Sequence, residues 1–234
     1  MNVLINYAHG CCKLSRRKNS ISGLEQGFDC VIEWKREHLD SEFIATNSSI
    51  LNSSRGAGYW LWKPYIIKKT LEKCNEGDVV FYADAASFFV RDMTPIFDTI
   101  RKNSVVCFEL SGGHIEGKWT RRNVFDAIGM DADRYKNTYQ RMASFIGVMN
   151  CEHSRSLIDE YLKFCCIPEL IMDMNERDPN ENPEFYEHRH DQSIWSLLCK
   201  KNEVHVLKDP TQWGVTNNET TNDDVFIIHT RDKR

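Results

Sequence analysis

Residues 79–89 read VVFYADAASFF, an apolar run that ends on one carboxylate, Asp84. A strand that is apolar at every position is typical of the middle of a parallel sheet covered on both faces. The run therefore predicts a central strand over residues 79–82, with Asp84 just beyond its carboxyl end. Because open α/β sheets bind ligands at that end, Asp84 is a candidate to hold a cation and a phosphate. The alternative is a capping residue for a turn or helix start at 85–88, and position alone favours neither.

The segments on both sides of this strand alternate between apolar runs and amphipathic stretches. Further strands are predicted at 3–5, 30–32, 105–108, 143–149, 204–207 and 225–228. Helices are predicted at about 21–27, 64–77, 121–127, 131–139, 157–165 and 194–199. This alternation predicts a single α/β domain over residues 1–234, with a mostly parallel sheet between helices. The polar, Ser/Asn-rich residues 35–58 are predicted as loop, and the acidic residues 173–187 as a mobile or ligand-covering loop.

Composition and charge exclude several classes of protein. The chain has 234 residues, a formal net charge of −4 and a sequence pI near 6.1, which argues against a duplex-binding protein and predicts no nucleic-acid partner. Its apolar runs are too short for a signal peptide or a transmembrane helix, so we expect a cytoplasmic protein that could meet a membrane only peripherally. Nine cysteines without a CxxC spacing predict buried thiols in a reducing compartment and no structural zinc site.

Three other stretches contain residues that could carry chemistry. Lys63 follows the aromatic string Tyr-Trp-Leu-Trp at a predicted helix N-terminus, where free N–H groups favour an anion and aromatic rings could stack on a base or sugar. The alternative is that Trp60 and Trp62 pack in the core. Asp191 is either a helix N-cap or a carboxylate aimed at a sugar hydroxyl or anomeric carbon. His229 is either part of a metal and phosphate site or part of a solvated terminus.

Taken in order, these stretches resemble a family of small glycosyltransferases. The motifs are R-G-x-G-Y-W-x-W-K-P at 55–64, G-D-x-x-x-Y-x-D-A at 77–85, W-T-R-R at 119–122, H-R-H-D-Q-S at 188–193 and H-x-R at 229–231. Enzymes of this family have the GT-A fold and occur in bacterial polysaccharide gene clusters and in large algal viruses. The similarity runs from Val3 to Arg234 in consistent order.

The resemblance implies a metal-dependent enzyme that transfers a sugar from a nucleotide-sugar donor, UDP-linked, to a hydroxyl of a glycan acceptor. It implies Mn²⁺ or Mg²⁺ as cofactor, a nucleotide-binding half at about 1–110 and an acceptor and catalytic half at about 111–234. It assigns the following roles to residues: nucleoside contacts at Tyr7 and Ala8; donor contacts at Lys63, Asp84, Ala85, Arg231 and Lys233; catalysis at Asp191 and Gln192; acceptor or sugar contacts at Trp119, Thr120 and His190; metal ligation at Asp84 and His229.

This chain departs from the family pattern at one position. Ala86 stands where the second acid of the Asp-x-Asp element would be, so Asp84 and His229 would be the only protein ligands of the metal. Metal and donor binding would then depend on each other. The His-Asp-Gln string favours a retaining mechanism. Two alternatives stay open, namely a non-catalytic domain that binds a nucleotide sugar or glycan, and a nucleotide-sugar hydrolase.

Overall fold

The strands of the chain form one large and one small sheet. A computed structural model describes residues 1–10, 12–174 and 176–230. In chain order its strands are β1 (Asn2–Tyr7), β2 (Cys30–Trp34), β3 (Val79–Ala83), β4 (Ser87–Phe89), β5 (Val105–Phe108), β6 (Phe145–Met149), β7 (His205–Leu207) and β8 (Ile227–His229). Within the described residues, the large sheet has the order β2-β1-β3-β6-β5-β7, and β4 pairs with β8.

The large sheet is mostly parallel, as predicted. β1 is parallel to β2 and to β3, and β5 is parallel to β7, whereas β6 runs antiparallel to both β3 and β5. Five strands therefore share one direction and β6 opposes them. β8, which was predicted as one more strand of the domain's sheet, lies instead in the two-stranded sheet with β4.

Helices connect and cover these strands. In chain order they are α1 (Lys13–Glu25), α2 (Ser41–Thr46), α3 (Ser48–Leu51), α4 (Gly56–Tyr59), α5 (Trp62–Leu71), α6 (Thr94–Asn103), α7 (Glu116–Trp119), α8 (Arg122–Ile128), α9 (Asp133–Lys136), α10 (Glu152–Cys165), α11 (Pro168–Ile171), α12 (Asp191–Lys201) and α13 (Gln212–Thr216). None of the helices in the described ranges is long and apolar enough to cross a bilayer.

The two faces of the large sheet carry separate cores, because side chains alternate along each strand. Val80 and Tyr82 of β3 point to the core that includes residues of α5, α10 and α12. Val79 and Phe81 point to the opposite core, which includes Phe97 of α6. All four β3 side chains are almost fully buried. The unbroken apolar run of β3 is thus explained by helices on both faces of the sheet.

The prediction of loop over residues 35–58 was wrong. This segment contains α2, α3, α4 and a 3₁₀ turn at Arg36–His38. Ile50, Leu51 and Tyr59 are buried in the core shared with α5. Elements of four to six residues present too few apolar positions to show a helical period, so the Ser and Asn between them dominated the pattern.

The first helix was predicted too short. α1 begins at Lys13, and its buried residues include the small Ser20, Ser22 and Gly23. A Cβ at position 23 would lie 2.4 Å from Leu4 Cδ2, so a larger residue there would force the buried Leu4 side chain to move. An inward face built from small residues carries no hydrophobic period that sequence alone could show.

Candidate functional site

Asp84 is held at the carboxyl end of β3. The Asp84 backbone N–H donates to the Ser144 carbonyl at 2.9 Å, and the Asp84 carbonyl accepts from the Ser87 hydroxyl at 2.6 Å. The fully buried Tyr82 hydroxyl donates to Asp84 Oδ1 at 2.5 Å. The backbone forms a turn here, as one alternative required, but the carboxylate is oriented by Tyr82 and remains partly exposed to two cavities.

The two cavities adjoin at Asp84 and Trp60, which line both of them. The larger one, called the large cavity below, has a volume of about 860 Å³ and is lined by residues that include Tyr7, Ala8, Arg36, Trp62, Ala85 and Ala86. The small cavity has a volume of about 330 Å³ and is lined by residues that include Arg55, Lys63, Ser144, His190, Asp191 and Gln192. Residues from five distant parts of the sequence therefore surround one carboxylate.

Aromatic rings form a wall of the large cavity. Tyr7 stacks on Trp62 with ring centroids 3.9 Å apart and an interplanar angle of 14°. Of the two tryptophans in the string Tyr-Trp-Leu-Trp, Trp62 is buried and donates its indole N–H to the Gly56 carbonyl. Trp60 lies between the cavities and stacks on His190. The buried Tyr7 hydroxyl has no hydrogen-bond partner in the described part of the chain. Burial raises the pKa of Tyr7 to about 12, so the phenol stays neutral.

The turn at α4 lets the aromatic string enter the cavities. The backbone has positive φ at Ala57 (52°), Tyr59 (51°) and Trp60 (60°), as well as at Gly56 and Gly58. A Cβ on Gly58 would lie 2.8 Å from Leu51 Cα, and Leu51 lines the large cavity. This turn therefore needs glycine at position 58 both for its dihedral angles and for space.

We predict that Gly58→Ala destabilises the protein more than Gly77→Ala does. Both glycines have positive φ, but a Cβ on Gly77 would meet nothing within 4 Å. Gly77→Ala carries only the left-handed strain of about 1–2 kcal/mol. Gly58→Ala adds overpacking against backbone, which costs about 1–3 kcal/mol more. Urea unfolding followed by tryptophan fluorescence measures the difference, and equal losses for the two variants would contradict the close approach at Gly58.

A buried ion pair lies at the small cavity. Lys63 Nζ is 2.6 Å from Asp191 Oδ2, and the two side chains are only 4% and 5% exposed. The Tyr161 hydroxyl donates to the same oxygen at 3.1 Å. Burial raises the pKa of the Asp191 carboxyl, and the neighbouring Lys63 charge opposes that shift. Lys63 and Asp191 both line the small cavity, but their closest charged contact is the ion pair that they form with each other.

The N-cap alternative for Asp191 was wrong. The N-cap of α12 is His190, which has the unusual dihedral angles φ 53° and ψ −122°, and Asp191 is the first residue of the helix itself. Its carboxylate contacts Lys63 of α5 and Tyr161 of α10. The residue therefore joins three helices at the cavity.

The other residues of the His-Arg-His-Asp-Gln string are also held by specific contacts. His190 Nδ1 donates to the Ile171 carbonyl at 2.8 Å, and its Nε2 accepts from Arg55 Nε at 3.0 Å. Arg55 also pairs with Glu187 at 2.7 Å. Gln192 donates to the Gln140 side-chain carbonyl at 3.0 Å. Gln192 and His190 are thus oriented toward the small cavity by residues far away in the sequence.

His188 is a buried neutral histidine. Its Nε2 donates to the Leu170 carbonyl at 2.8 Å. Burial, followed by the charges of Arg121, His190 and Arg55, lowers the pKa of His188 well below its ordinary value, while the bond to Leu170 opposes the shift. The pKa of His190 is also lowered, chiefly by burial.

We predict that acid destabilises the protein below pH 6.5 partly through His188. Because its pKa is lower in the folded than in the unfolded chain, the unfolded chain takes up a proton first, and stability falls as pH drops from about 6.5 toward the folded pKa. The loss is at most about 1.4 kcal/mol per pH unit for one group. The melting temperature should fall less between pH 7.5 and pH 5.5 for His188→Gln than for wild type. His153→Gln, at an exposed histidine, is the control and should change nothing.

Two predicted acceptor residues line neither cavity. The buried Thr120 hydroxyl donates to Glu116 Oε1 at 2.6 Å, in a polar network that includes Gln140 and Lys200. The Trp119 ring lies under the Arg189 guanidinium, 3.9 Å from the ring centroid to Cζ. Neither residue lines the large or the small cavity. Arg231 and Lys233 lie outside the described residues, so their predicted contacts with phosphate stay predictions.

The two predicted metal ligands lie on adjoining elements. His229 pairs with Ser87 across the small sheet. The centroid of its ring is 5.8 Å from that of Phe145, and Phe145 pairs with Ala83 of β3 in the large sheet. Ala86 contributes only its carbonyl, to Thr230. In the ranges that the structure describes, no group of three or more His, Cys, Asp or Glu side chains could hold a metal ion. The Asp84 carboxylate suits Mn²⁺ or Mg²⁺ when water or ligand oxygens complete the shell, whereas His229 lines neither cavity.

Sequence reasoning missed several residues that build the site. Arg55, Ser144, Glu187 and Arg189 line the small cavity, and Tyr82 and Tyr161 orient its carboxylates. Arg55 stands in the quoted R-G-x-G motif, which was the available signal. Tyr161 carried no signal, because it read as one apolar position on the face of a helix.

Comparisons with known proteins show which fold this is. No family model and no curated protein matches the chain. Solved structures do match. Apo mouse xyloside xylosyltransferase 1 is 9% identical, with a TM-score of 0.54 over 99% of this chain and 98% of that one. A glycosyltransferase involved in glycosylation of the PBCV-1 major capsid is 12% identical, with a TM-score of 0.52 over 99% and 94%.

A third structure, the galactosyltransferase LgtC in complex with donor and acceptor sugar analogs, is 14% identical, with a TM-score of 0.50 over 99% of this chain and 87% of that one. At such identities the likeness establishes the fold. The chain therefore has the GT-A fold of these glycosyltransferases, as the resemblance of its sequence motifs implied.

Proposed function

We propose that this protein is a glycosyltransferase that moves a sugar from a nucleoside-diphosphate donor, UDP-linked, to a hydroxyl of a glycan acceptor, with divalent-metal assistance and retention of configuration. One observation carries the proposal. Two adjoining cavities meet at Asp84, at the carboxyl end of a central strand, and Asp191 lines the smaller of them. In open α/β sheets that edge is where ligands bind.

The large cavity has the properties of a nucleoside site. Its volume, about 860 Å³, lies in the range of small-molecule pockets. The Trp60 ring lies where a base or ribose could stack.

The small cavity has the size and charge for the donor sugar. During transfer the sugar becomes oxocarbenium-like while negative charge grows on the departing diphosphate. Asp191, fixed by Lys63 and Tyr161, would steady the cationic sugar or accept a proton from the acceptor hydroxyl. Retention is favoured by the likeness of residues 190–192 to retaining enzymes of this fold.

Asp84 and His229 would hold the divalent cation. A bound Mn²⁺ or Mg²⁺ ion would supply positive charge that neutralises the diphosphate. Tyr82 fixes the Asp84 carboxylate through Oδ1, and this hydrogen bond orients the group before any ligand arrives. With Ala86 in place of a second acid, the donor's own oxygens would have to complete the site, so donor and cation should bind cooperatively.

A panel of nucleotide sugars tests the proposal. Each donor is incubated with Mn²⁺, with and without chelator, and with a mixture of glycans as acceptor; release of nucleoside diphosphate is measured. The proposal expects release that requires acceptor and is abolished by chelator, with NMR of the product showing the donor's anomeric configuration. Absence of both binding and release for every donor would overturn it.

Ala86 favours a second candidate, a domain that binds a nucleotide sugar without turning it over. The same panel separates the candidates. Binding without release indicates the non-catalytic domain, and release that does not depend on acceptor indicates a nucleotide-sugar hydrolase.

A further inference from the structure

The helix α1 exposes its apolar side chains and buries its small polar ones. Its buried residues are Asn19, Ser20, Ser22 and Gly23. Its three large apolar side chains lie on the outside instead: Leu14 is 70% exposed, Ile21 46% and Leu24 51%. A surface helix ordinarily packs its apolar side on the core. The packing of this chain on itself therefore gives no reason for the apolar residues of α1.

The exposed apolar side chains of α1 share one side of the helix. At about 100° per residue, Leu14, Ile21 and Leu24 fall within an arc of about 80° and extend over about 15 Å along the axis. Exposed cations lie between and beside them, and the whole set covers an arc of about 140°. This set is called the α1 face below and consists of Lys13, Leu14, Arg17, Lys18, Ile21 and Leu24.

The cations of the α1 face are not neutralised by neighbouring acids. Among the residues that the structure describes, Lys13 and Arg17 have no acidic partner. Lys18 Nζ lies over the Phe88 ring, 3.4 Å from its centroid, and this contact leaves the ammonium its charge. Three positive charges are therefore available on one face of a chain whose formal net charge is −4.

The acids closest in sequence or contact do not cancel this charge. Glu33 of β2 is paired with Arg16, at 3.2 Å, and Arg16 is for that reason not counted in the α1 face. Glu25 is the last residue of α1 and the one acidic residue in it. Three cations thus stand against one carboxylate, and that carboxylate lies at the C-terminal end of the helix.

This combination of side chains fits an anionic bilayer better than other partners. Lysine is depleted in the centre of protein–protein interfaces, and nucleic-acid phosphates gain nothing from three aliphatic side chains. At a bilayer surface, aliphatic groups enter the acyl boundary while Lys and Arg reach lipid phosphates through their long stems. Because α1 packs on β1, β2 and β4, only one side of it is open, which suits a flat surface rather than a groove that encloses a helix.

We infer that the α1 face is a docking surface for an anionic membrane, in which its apolar side chains enter the bilayer boundary and its cations meet lipid phosphates. Cys12, the N-cap of α1, lines the large cavity, so the docking surface and that cavity are neighbours. Membrane binding needs no donor, acceptor or metal. It therefore goes beyond the proposed function and can be tested apart from it.

Sedimentation of the intact protein with vesicles tests the docking surface. One set of vesicles contains phosphatidylglycerol and phosphatidylcholine in equal parts, and the other contains phosphatidylcholine alone. The protein should bind the anionic vesicles, and at least about tenfold more weakly the neutral ones, since each cation contributes about fivefold. Added salt should weaken the binding. No binding to the anionic vesicles, or equal binding to both sets, would overturn the inference.

A pair of double variants tests the apolar contribution. Leu14→Ser/Leu24→Ser keeps every charge and should weaken binding to anionic vesicles at least about tenfold, because two leucine side chains no longer leave water. Met174→Ser/Val206→Ser makes a comparable change at exposed positions elsewhere, 53% and 38% accessible, and should bind as wild type does. Unchanged binding of Leu14→Ser/Leu24→Ser would rule out insertion of the α1 face.

A second pair tests the cations. Lys13→Gln/Arg17→Gln should weaken binding to anionic vesicles about 5- to 25-fold and leave the weak binding to neutral vesicles unchanged. Lys102→Gln/Lys163→Gln removes two exposed charges from α6 and α10 and should have little effect. Equal weakening by the two pairs would show that only the total charge matters, which contradicts a docking surface at α1.

A variant that gains binding excludes loss of structure as the explanation. Glu25→Lys adds positive charge to the same side of α1 and should strengthen binding to anionic vesicles about fivefold or more. A damaged fold cannot produce this gain, and weaker or unchanged binding would count against the α1 face.

Sedimentation without lipid tests the rival occupant, a second copy of the chain. The protein should remain one species over the concentrations used with vesicles. Self-association that Leu14→Ser/Leu24→Ser abolishes, together with no binding to vesicles, would make the α1 face a contact between copies and overturn the membrane assignment.

Discussion

Lys63→Met is expected to lower the free energy of unfolding by about 3–5 kcal/mol, because it leaves the Asp191 carboxylate buried without its cation. The ion pair is almost fully enclosed, at 2.6 Å, where water cannot replace the lost partner. The Tyr161 hydroxyl alone would remain on Asp191 Oδ2. Equilibrium unfolding in urea, followed by circular dichroism, measures the loss.

Two variants control this prediction. Lys68→Met makes the same change on the same helix, but Lys68 pairs with Asp159 at the surface, and such pairs contribute about 0–1 kcal/mol. The double variant Lys63→Met/Asp191→Leu removes both charges and should regain much of the stability, since apolar pairs often replace buried ion pairs without loss. A loss for Lys63→Met no larger than that for Lys68→Met would show that the pair is hydrated.

The double variant also separates folding from chemistry. If Asp191 acts on the donor sugar, a folded Lys63→Met/Asp191→Leu protein should bind the donor and fail to transfer the sugar. Restored stability together with retained transfer would assign Asp191 a purely structural role.

Asp84→Asn is expected to reduce metal-dependent donor cleavage about 10²–10³-fold while the protein stays folded. An amide oxygen can still accept the hydrogen bond from Tyr82, so the local structure should persist. The negative charge that would hold the divalent cation is lost. Release of nucleoside diphosphate at saturating donor, with increasing Mn²⁺, measures the effect.

Asp98→Asn serves as the matched control for Asp84→Asn. Asp98 is exposed on α6, outside all of the cavities described above, and this variant should keep wild-type activity. Full activity of Asp84→Asn in the presence of chelator would remove the metal role from Asp84. Loss of the folded state in circular dichroism would instead make the residue structural.

Much of the fold could be predicted from single segments. β3 could be predicted because a strand buried on both faces must be apolar at every position. Asp84 could be singled out because a carboxylate ends that run. The short helices of 41–59 and the inward face of α1 could not be predicted, since small or polar residues pack there and show no hydrophobic periodicity. The reversed direction of β6 depends on how distant strands meet, which no local pattern records.

The sequence by itself determined that a carboxylate ends the central strand β3 and which motifs accompany it, because residue type and order are enough for both. Only the tertiary structure decided what those residues do to one another. It pairs Lys63 with Asp191 across 128 positions of sequence, buries Trp62 and leaves Trp60 between two cavities. Burial and partnership set charge, protonation and hydrogen-bonding role, and both arise only when distant segments pack together.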